Sequence, residues 1–331
     1  MIVDMHAHVF TAEALARVDG KYRKYAPQLR VEAGRHVIVT GDRSSSFPYM
    51  PGFSDVKERL GEMDRMGVDM QIISVNPGNF CYGAPSEAGL AISIAQNDAI
   101  AGIVEAHPER FVGCATVPLQ NPEAAAAELN RCVRDLGFKA VEICTHVSGK
   151  NLDSPELARF YAEANRLKTP IIVHPSNVAG ADRMGGYYIV NVVGNPLDTT
   201  IAIGSVVFSG ALDKYSDLTF CWSHGGGFWP YQFGRFDHAY EVRAESRAKI
   251  SRPPSSYASR MYYDTITHSE VALGYLVSSM GAGNVLYGTD FPWDMGDYDS
   301  IPLIKSLKGV KAADKERILG GTSASLFGIK A

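Results

Sequence analysis

The chain has 331 residues, 46% of them hydrophobic and 21% charged, with a formal net charge of −4. That balance is ordinary for a globular protein with a sizeable core, and it makes no electrostatic case for nucleic acid or an anionic membrane as partner. No apolar stretch is long enough to span a bilayer, and the N-terminus enters a strand too early for a signal peptide. Five cysteines without a CxxC pair read as reduced thiols, so a cytoplasmic protein is expected.

The first stretch, 2–10, is a hydrophobic run interrupted at alternate positions by Asp4, His6 and His8. Residues two apart on a strand share a face, so His6 and His8 point together. Two imidazoles in a core are costly unless something binds them. A divalent metal is one explanation, and a pair of polar residues at a strand end is the plainer one. Residues 11–52 read as a long irregular stretch rich in Arg, Lys and Tyr, of a length kept for a lid or a subunit contact.

From residue 54 a regular alternation begins. Ser54 is a capping residue for a helix that runs to Met66 and stops at Gly67. A strand over 70–75, a helix over 86–106 and a strand over 111–117 follow. Asn121-Pro122 starts a helix that Gly137 ends, before a strand over 139–145. Ser154-Pro155 starts the next helix, and 170–174 is a strand. Residues 176–197 form a second long excursion, rich in Gly and Tyr. Helices over 197–209, 231–249 and 268–280 then alternate with strands over 218–222, 261–264 and 284–288. One or two helices over 312–328 close the chain.

Eight strands, each followed by a helix, predict a (β/α)8 TIM-type barrel in a single domain over 1–331, with long loops after strands 1 and 5. An open doubly wound sheet would want a glycine-rich turn after the first strand, which is absent. In such a barrel the active site lies at the C-terminal strand ends. The polar residues there are His6, His8, His174, His224, Asp264 and Asp290. Among them His6, His8, His174 and Asp290 offer three nitrogens and one oxygen, a set suited to zinc with water added. His36, His107 and His238 carry less weight, and Cys144 and His146, at the end of strand 4, read as packing residues first, with ligand contact as the alternative.

His6-Ala7-His8, His174-Pro175, the run from Ser223 to Gly227 and Gly288-Thr289-Asp290-Phe291-Pro292 together resemble the amidohydrolase superfamily. Within it the chain is similar to the 2-amino-3-carboxymuconate-6-semialdehyde decarboxylase family and related metal-dependent decarboxylases. The ordered set covers nearly the whole chain, with Arg110 to Gly113, Thr145 to Val147 and Gly194-Asn195-Pro196 also fitting. The resemblance implies one divalent ion per subunit, usually zinc, with manganese or another metal as the alternative. Its ligands would be His6, His8, His174 and Asp290. His224 would be the proton-transfer residue beside it, and Asp290 a second group able to deliver a proton.

The end of strand 4 has Cys144 and no bridging lysine, which favours a single ion. Arg235 matches an arginine that relatives lend to a neighbouring subunit's substrate, so a homodimer is implied. A second family arginine is absent from 47–50, with Arg43 a candidate substitute, and Asn191 stands where tryptophan is expected. Phe291 and Trp293, with Tyr187 and Tyr188, supply aromatic walls. The expected activity is non-oxidative decarboxylation of a small carboxylated aromatic or muconate-semialdehyde-like compound. Hydrolysis or hydration on the same site is the rival reading.

Overall fold

The computed structural model describes residues 1–39 and 46–330. Eight parallel strands run in sheet order: β1 (Val3–Val9), β2 (Met70–Val75), β3 (Phe111–Ala115), β4 (Ala140–Cys144), β5 (Ile171–His174), β6 (Phe220–Trp222), β7 (Met261–Asp264) and β8 (Val285–Leu286). The helices that follow them are α1 (Val56–Met66), α2 (Ser86–Ala106), α3 (Pro122–Arg134), α4 (Ala158–Leu167), α5 (Asn195–Phe208), α6 (Trp229–Val242), α7 (Glu270–Met280) and α8 (Ser300–Ser306). This is the expected (β/α)8 barrel. Strands β1, β2 and β4 are buried along their whole length, as parallel strands covered on both faces must be.

The ring closes between β1 and β8 by few bonds. Met5 N donates to Tyr287 O (2.9 Å), His8 N to Phe291 O (2.7 Å) and Asp290 N to His6 O (2.8 Å). One isolated bridge, Ala7 to Phe291, marks the parallel pairing. The backbone at Gly288 passes so close to β1 and β7 that a Cβ there would meet His6 Cβ at 3.0 Å and Asp264 Cβ at 3.1 Å. That close approach needs glycine.

Differences from the sequence reading lie mostly at element ends and in the first excursion. Asp55, not Ser54, caps α1, its carboxylate accepting from Glu58 N at 3.0 Å. Ser54 instead bonds back to Phe10 O at 2.6 Å. The stretch read as irregular contains a helical turn (Ala12–Ala16) and an antiparallel sheet of Gln28–Glu32, Arg35–Val39 and Ser46–Pro48. Arg43 lies outside the described residues. The second excursion ends in a wide helical turn, Val190–Gly194, that runs directly into α5. The helix Ser300–Ser306 was not anticipated.

All five cysteines are free, and four are fully buried. Burial pushes the Cys81 thiol up to about 12 and the Cys144 thiol up to about 11, with Cys114, Cys132 and Cys221 raised further. The reactive species is the thiolate, so native thiols should be nearly inert at pH 8. A chromogenic thiol reagent should titrate five groups in urea and react far more slowly before unfolding. Labelling of native Cys114, Cys132, Cys144 or Cys221 at the unfolded rate would contradict this burial.

Candidate metal centre and active site

The C-terminal ends of β1, β5 and β8 bring His6, His8, His174 and Asp290 into one buried cluster. Two overlapping sets of ligand atoms lie within 4.8 Å of one another there: His6, His174, His224 and Asp290, and His6, His8 and Glu142. Three Nε2 atoms surround a single carboxylate oxygen, Asp290 Oδ1: His8 at 3.0 Å, His6 at 3.4 Å and His174 at 3.9 Å. The opposite nitrogen of each ring faces an acceptor. His6 Nδ1 lies 2.7 Å from Asp264 Oδ2, His8 Nδ1 3.2 Å from Val75 O, and His174 Nδ1 2.8 Å from Pro175 O. Each Nδ1 therefore carries the hydrogen, and each Nε2 presents a lone pair. Three lone pairs and a carboxylate oxygen then converge with no donor among them. His6 Nε2 and His8 Nε2 are only 3.0 Å apart, and His174 Nε2 and Asp290 Oδ1 have no hydrogen-bond partner.

Such a convergence is costly unless a cation occupies it. Ligands held about 2.1 Å from a tetrahedral ion sit roughly 3.4 Å from one another, which these separations bracket. The donor set thus fits a divalent metal.

Carboxylates behind the rings orient them, as supporting groups at metal sites commonly do. Asp264 accepts from His6 and also from His224 N (2.9 Å) and Gly225 N (2.7 Å), tying the turn after β6 to β1. That turn puts His224, Gly225, Gly226 and Gly227 at positive φ. Its last residue admits no side chain, because a Cβ on Gly227 would sit 2.2 Å from Pro196 O. The turn delivers His224 Nε2 to 3.6 Å from Asp290 Oδ2 and leaves His224 Nδ1 without a partner.

Glu142, on β4, was missed by sequence reading. It is buried, lies 4.0 Å from His8 Nδ1, and neither oxygen has a hydrogen-bond partner. It also lies close to His6, so that His6, His8 and Glu142 each offer a ligand atom within 4.8 Å of the others, and its charge adds to the negative field on the His8 side of the cluster. Its only sequence signal is a charge inside an apolar strand.

The other expected site residues are placed differently. Arg235 is exposed on α6 and makes no hydrogen bond or ion pair among the described residues. Asn191 is half-buried in the wide turn before α5. Phe291 is buried between the Arg59 guanidinium, 4.8 Å from its centroid, and Tyr298. Trp293 packs edge-on against Phe53 at 5.2 Å. A cavity of about 600 Å³ opens beside β4 and β5, lined by Phe80, Tyr82, Cys144, His146, Ser176 and Asn177 among others. Cys144 pairs with His174 across the sheet and Ser176 follows it closely, so the cavity borders the cluster on the His174 side.

The amidohydrolase family pattern matches residues 3–329. The chain belongs to the amidohydrolase family. Its relatives include 2-amino-3-carboxymuconate-6-semialdehyde decarboxylase of Dictyostelium discoideum, 35% identical over 83% of this chain and 77% of that one. Gamma-resorcylate decarboxylase of Rhizobium sp. is 27% identical over 82% of this chain and 90% of its own length. In fold, the chain superposes on Metarhizium anisopliae IDCase with a TM-score of 0.88, covering 100% of this chain and 98% of that one at 20% identity.

Electrostatics of the metal-free site follow from this geometry. Burial alone would lower His6, but Asp290 and Asp264 outweigh it and raise His6 to about 9. Burial alone would likewise raise Asp290 and Asp264, and the histidines, His6 foremost, hold both below the ordinary range. His174 is driven well below its usual value by burial and by the neighbouring rings. A proton on His6 therefore stands in for the cation. Since the folded value is raised from about 6.5, its stabilisation is complete below 6.5 and lost as pH rises through about 9. An added ion needs the unprotonated ring, so its contribution should grow over the same window. Thermal midpoints from pH 6.5 to 9, with chelator and with excess Zn2+, should therefore diverge. A metal-induced shift that is constant with pH would contradict the proton-for-metal exchange.

Proposed function

We propose that this amidohydrolase-family enzyme is a metal-dependent, non-oxidative decarboxylase, a carbon–carbon lyase. Its proposed substrate is a small carboxylated aromatic or muconate-like compound. The observation that carries the reading is the convergence of three bare Nε2 atoms and Asp290 beside His224 and an aromatic-walled cavity. In this reading His6, His8, His174 and Asp290 hold one ion. Zinc is the best match to three nitrogens and one oxygen, with Mn2+ as the alternative.

When bound, the ion supplies Lewis-acid polarisation of a substrate oxygen or of water. Loss of CO2 leaves an electron pair on carbon, which a conjugated carbonyl or ring must accept. His224 holds the proton that is exchanged. Its Nε2 faces Asp290 Oδ2 at 3.6 Å on the cluster side, which is the nitrogen placed to give or take that proton, while its Nδ1 is buried. Phe80 and Tyr82, stacked at 5.5 Å, offer a flat wall to a planar substrate.

Two features of the sequence separate this chain from relatives built around two carboxylate clamps. No arginine occurs in 47–50, and Asn191 is smaller and more polar than an indole. A hydroxy- or amino-substituted carboxylic acid is therefore the preferred substrate, and aminocarboxymuconate semialdehyde a poor one. Side-by-side kcat/KM values test this, and a clear preference for the semialdehyde would overturn it.

A homodimer completes the proposal. Arg235 shares α6 with the exposed Tyr231, and α7 presents Val271 and Tyr275 alongside, with the Tyr231 and Tyr275 rings 6.4 Å apart. An apolar face next to an unpaired arginine suits an isologous interface that carries Arg235 to the neighbouring site. Light scattering should give dimers or multiples of dimers, and active monomers at assay concentration would exclude a shared site. Five free thiols support a reducing, cytoplasmic setting.

His6→Ala and His174→Ala should lose metal and CO2 release together. His224→Ala should keep its metal but lose about 10²-fold or more in turnover, the usual worth of a positioned acid or base. Net water addition to substrate without CO2 release would instead support a hydratase or hydrolase. Near-normal turnover in metal-loaded His224→Ala would remove His224 from the mechanism.

A further inference from the structure

Arg59 lies on α1 with only 1% of its surface exposed, and no carboxylate pairs with it directly among the described residues. Its donors go to the His8 carbonyl, to Gly52 O at 2.8 Å and to Gln71 Oε1 at 2.8 Å. Gln71 Nε2 passes the connection to Asp4 Oδ2 at 2.9 Å. Asp4 in turn accepts from Thr289 Oγ1 at 2.6 Å, Thr289 N at 3.0 Å and His6 N at 3.1 Å. The guanidinium also covers the Phe291 ring. One buried cation and one buried carboxylate, joined through an amide, thus grip the two segments that carry His6, His8 and Asp290.

Fold stability alone is a weak reason for such a pair. Buried ion pairs are often no more stabilising than well-packed apolar replacements of the same volume. What this one adds is geometry, at the seam where β1 meets the segment after β8 and the barrel closes. The balance of charge also matters, because an uncompensated cation here would oppose a divalent ion.

We propose that Arg59 is a positioning residue for the metal centre. It acts through the His8 carbonyl and the Gln71–Asp4 bridge to hold the end of β1 and the segment after β8 at the separation the ion requires. This rests on the reading of His6, His8, His174 and Asp290 as the ligands.

The test measures Zn2+ affinity by competition with a chromophoric chelator, independently of turnover, together with thermal midpoints of the metal-free proteins. Arg59→Met and Gln71→Met should weaken Zn2+ binding about 10- to 100-fold, the range seen when supporting groups at metal sites are removed. Arg59→Lys, which keeps the charge, should recover part of the loss. A residue that serves only the fold would lower metal-free and metal-loaded midpoints equally and leave the affinity unchanged. Should Arg59→Met fail to fold, Arg59→Lys and Gln71→Met decide together, the first by thinning the fork of contacts to the His8 carbonyl, Gly52 O and Gln71, the second by cutting the bridge to Asp4. Parental affinity in the folded variants, with His6→Ala unable to bind, would overturn the role of Arg59 while sparing the ligand assignment. Parental affinity in His6→Ala would overturn the ligand assignment, and this proposal with it.

Discussion

Three imidazole lone pairs aimed at one carboxylate oxygen cannot be left alone inside a protein. Nearly every feature around the barrel mouth answers that constraint. Asp264, Val75 O and Pro175 O take the three Nδ1 hydrogens, so that each ring presents its other nitrogen to the same point. With no cation present, a proton on His6 is the substitute, which is why two carboxylates raise that ring against the effect of its own burial. The site is thus preorganised for a positive charge, and binding the ion need not reorganise the rings.

The constraint also explains where the site sits. His6, His8 and Asp290 flank the closure of the barrel, where β1 meets the segment after β8 through a handful of main-chain bonds. A side chain reinforces that closure: Asp4, on β1, takes both the amide and the hydroxyl of Thr289. Gly288 and Gly227 permit approaches that any Cβ would block. Closing the fold and building the site are therefore the same event in this chain. Loss of the ion should be felt in the fold, because ligands from distant parts of the chain are drawn together by it.

Much of this was legible in the sequence, for identifiable reasons. His6 and His8 stand two apart in an apolar run, and a strand has only one way to display such a pair. His174 and Asp290 each stand where a strand stops at a proline, and His224 precedes three glycines, all marks of a held chain end. Other features were not legible. Ser54 and Asp55 are both good capping residues, and only the fold shows that Ser54 is used by Phe10 O instead. In the first excursion Gln28–Glu32 is almost entirely exposed, so no alternation announces it. Arg59 and Glu142 are single charges on otherwise apolar surfaces. Their meaning comes from partners far away in the chain, and no local pattern contains that information.

The central claim is that one divalent ion, held by His6, His8, His174 and Asp290, is required to release CO2. Its most direct test is reconstitution of chelated, metal-free enzyme with known equivalents of Zn2+ or Mn2+, with CO2 release measured on a carboxylated aromatic. The structure predicts no release without metal and a linear return of activity that breaks at one equivalent per chain. Full release by the metal-free enzyme, or a break at two equivalents, would contradict it.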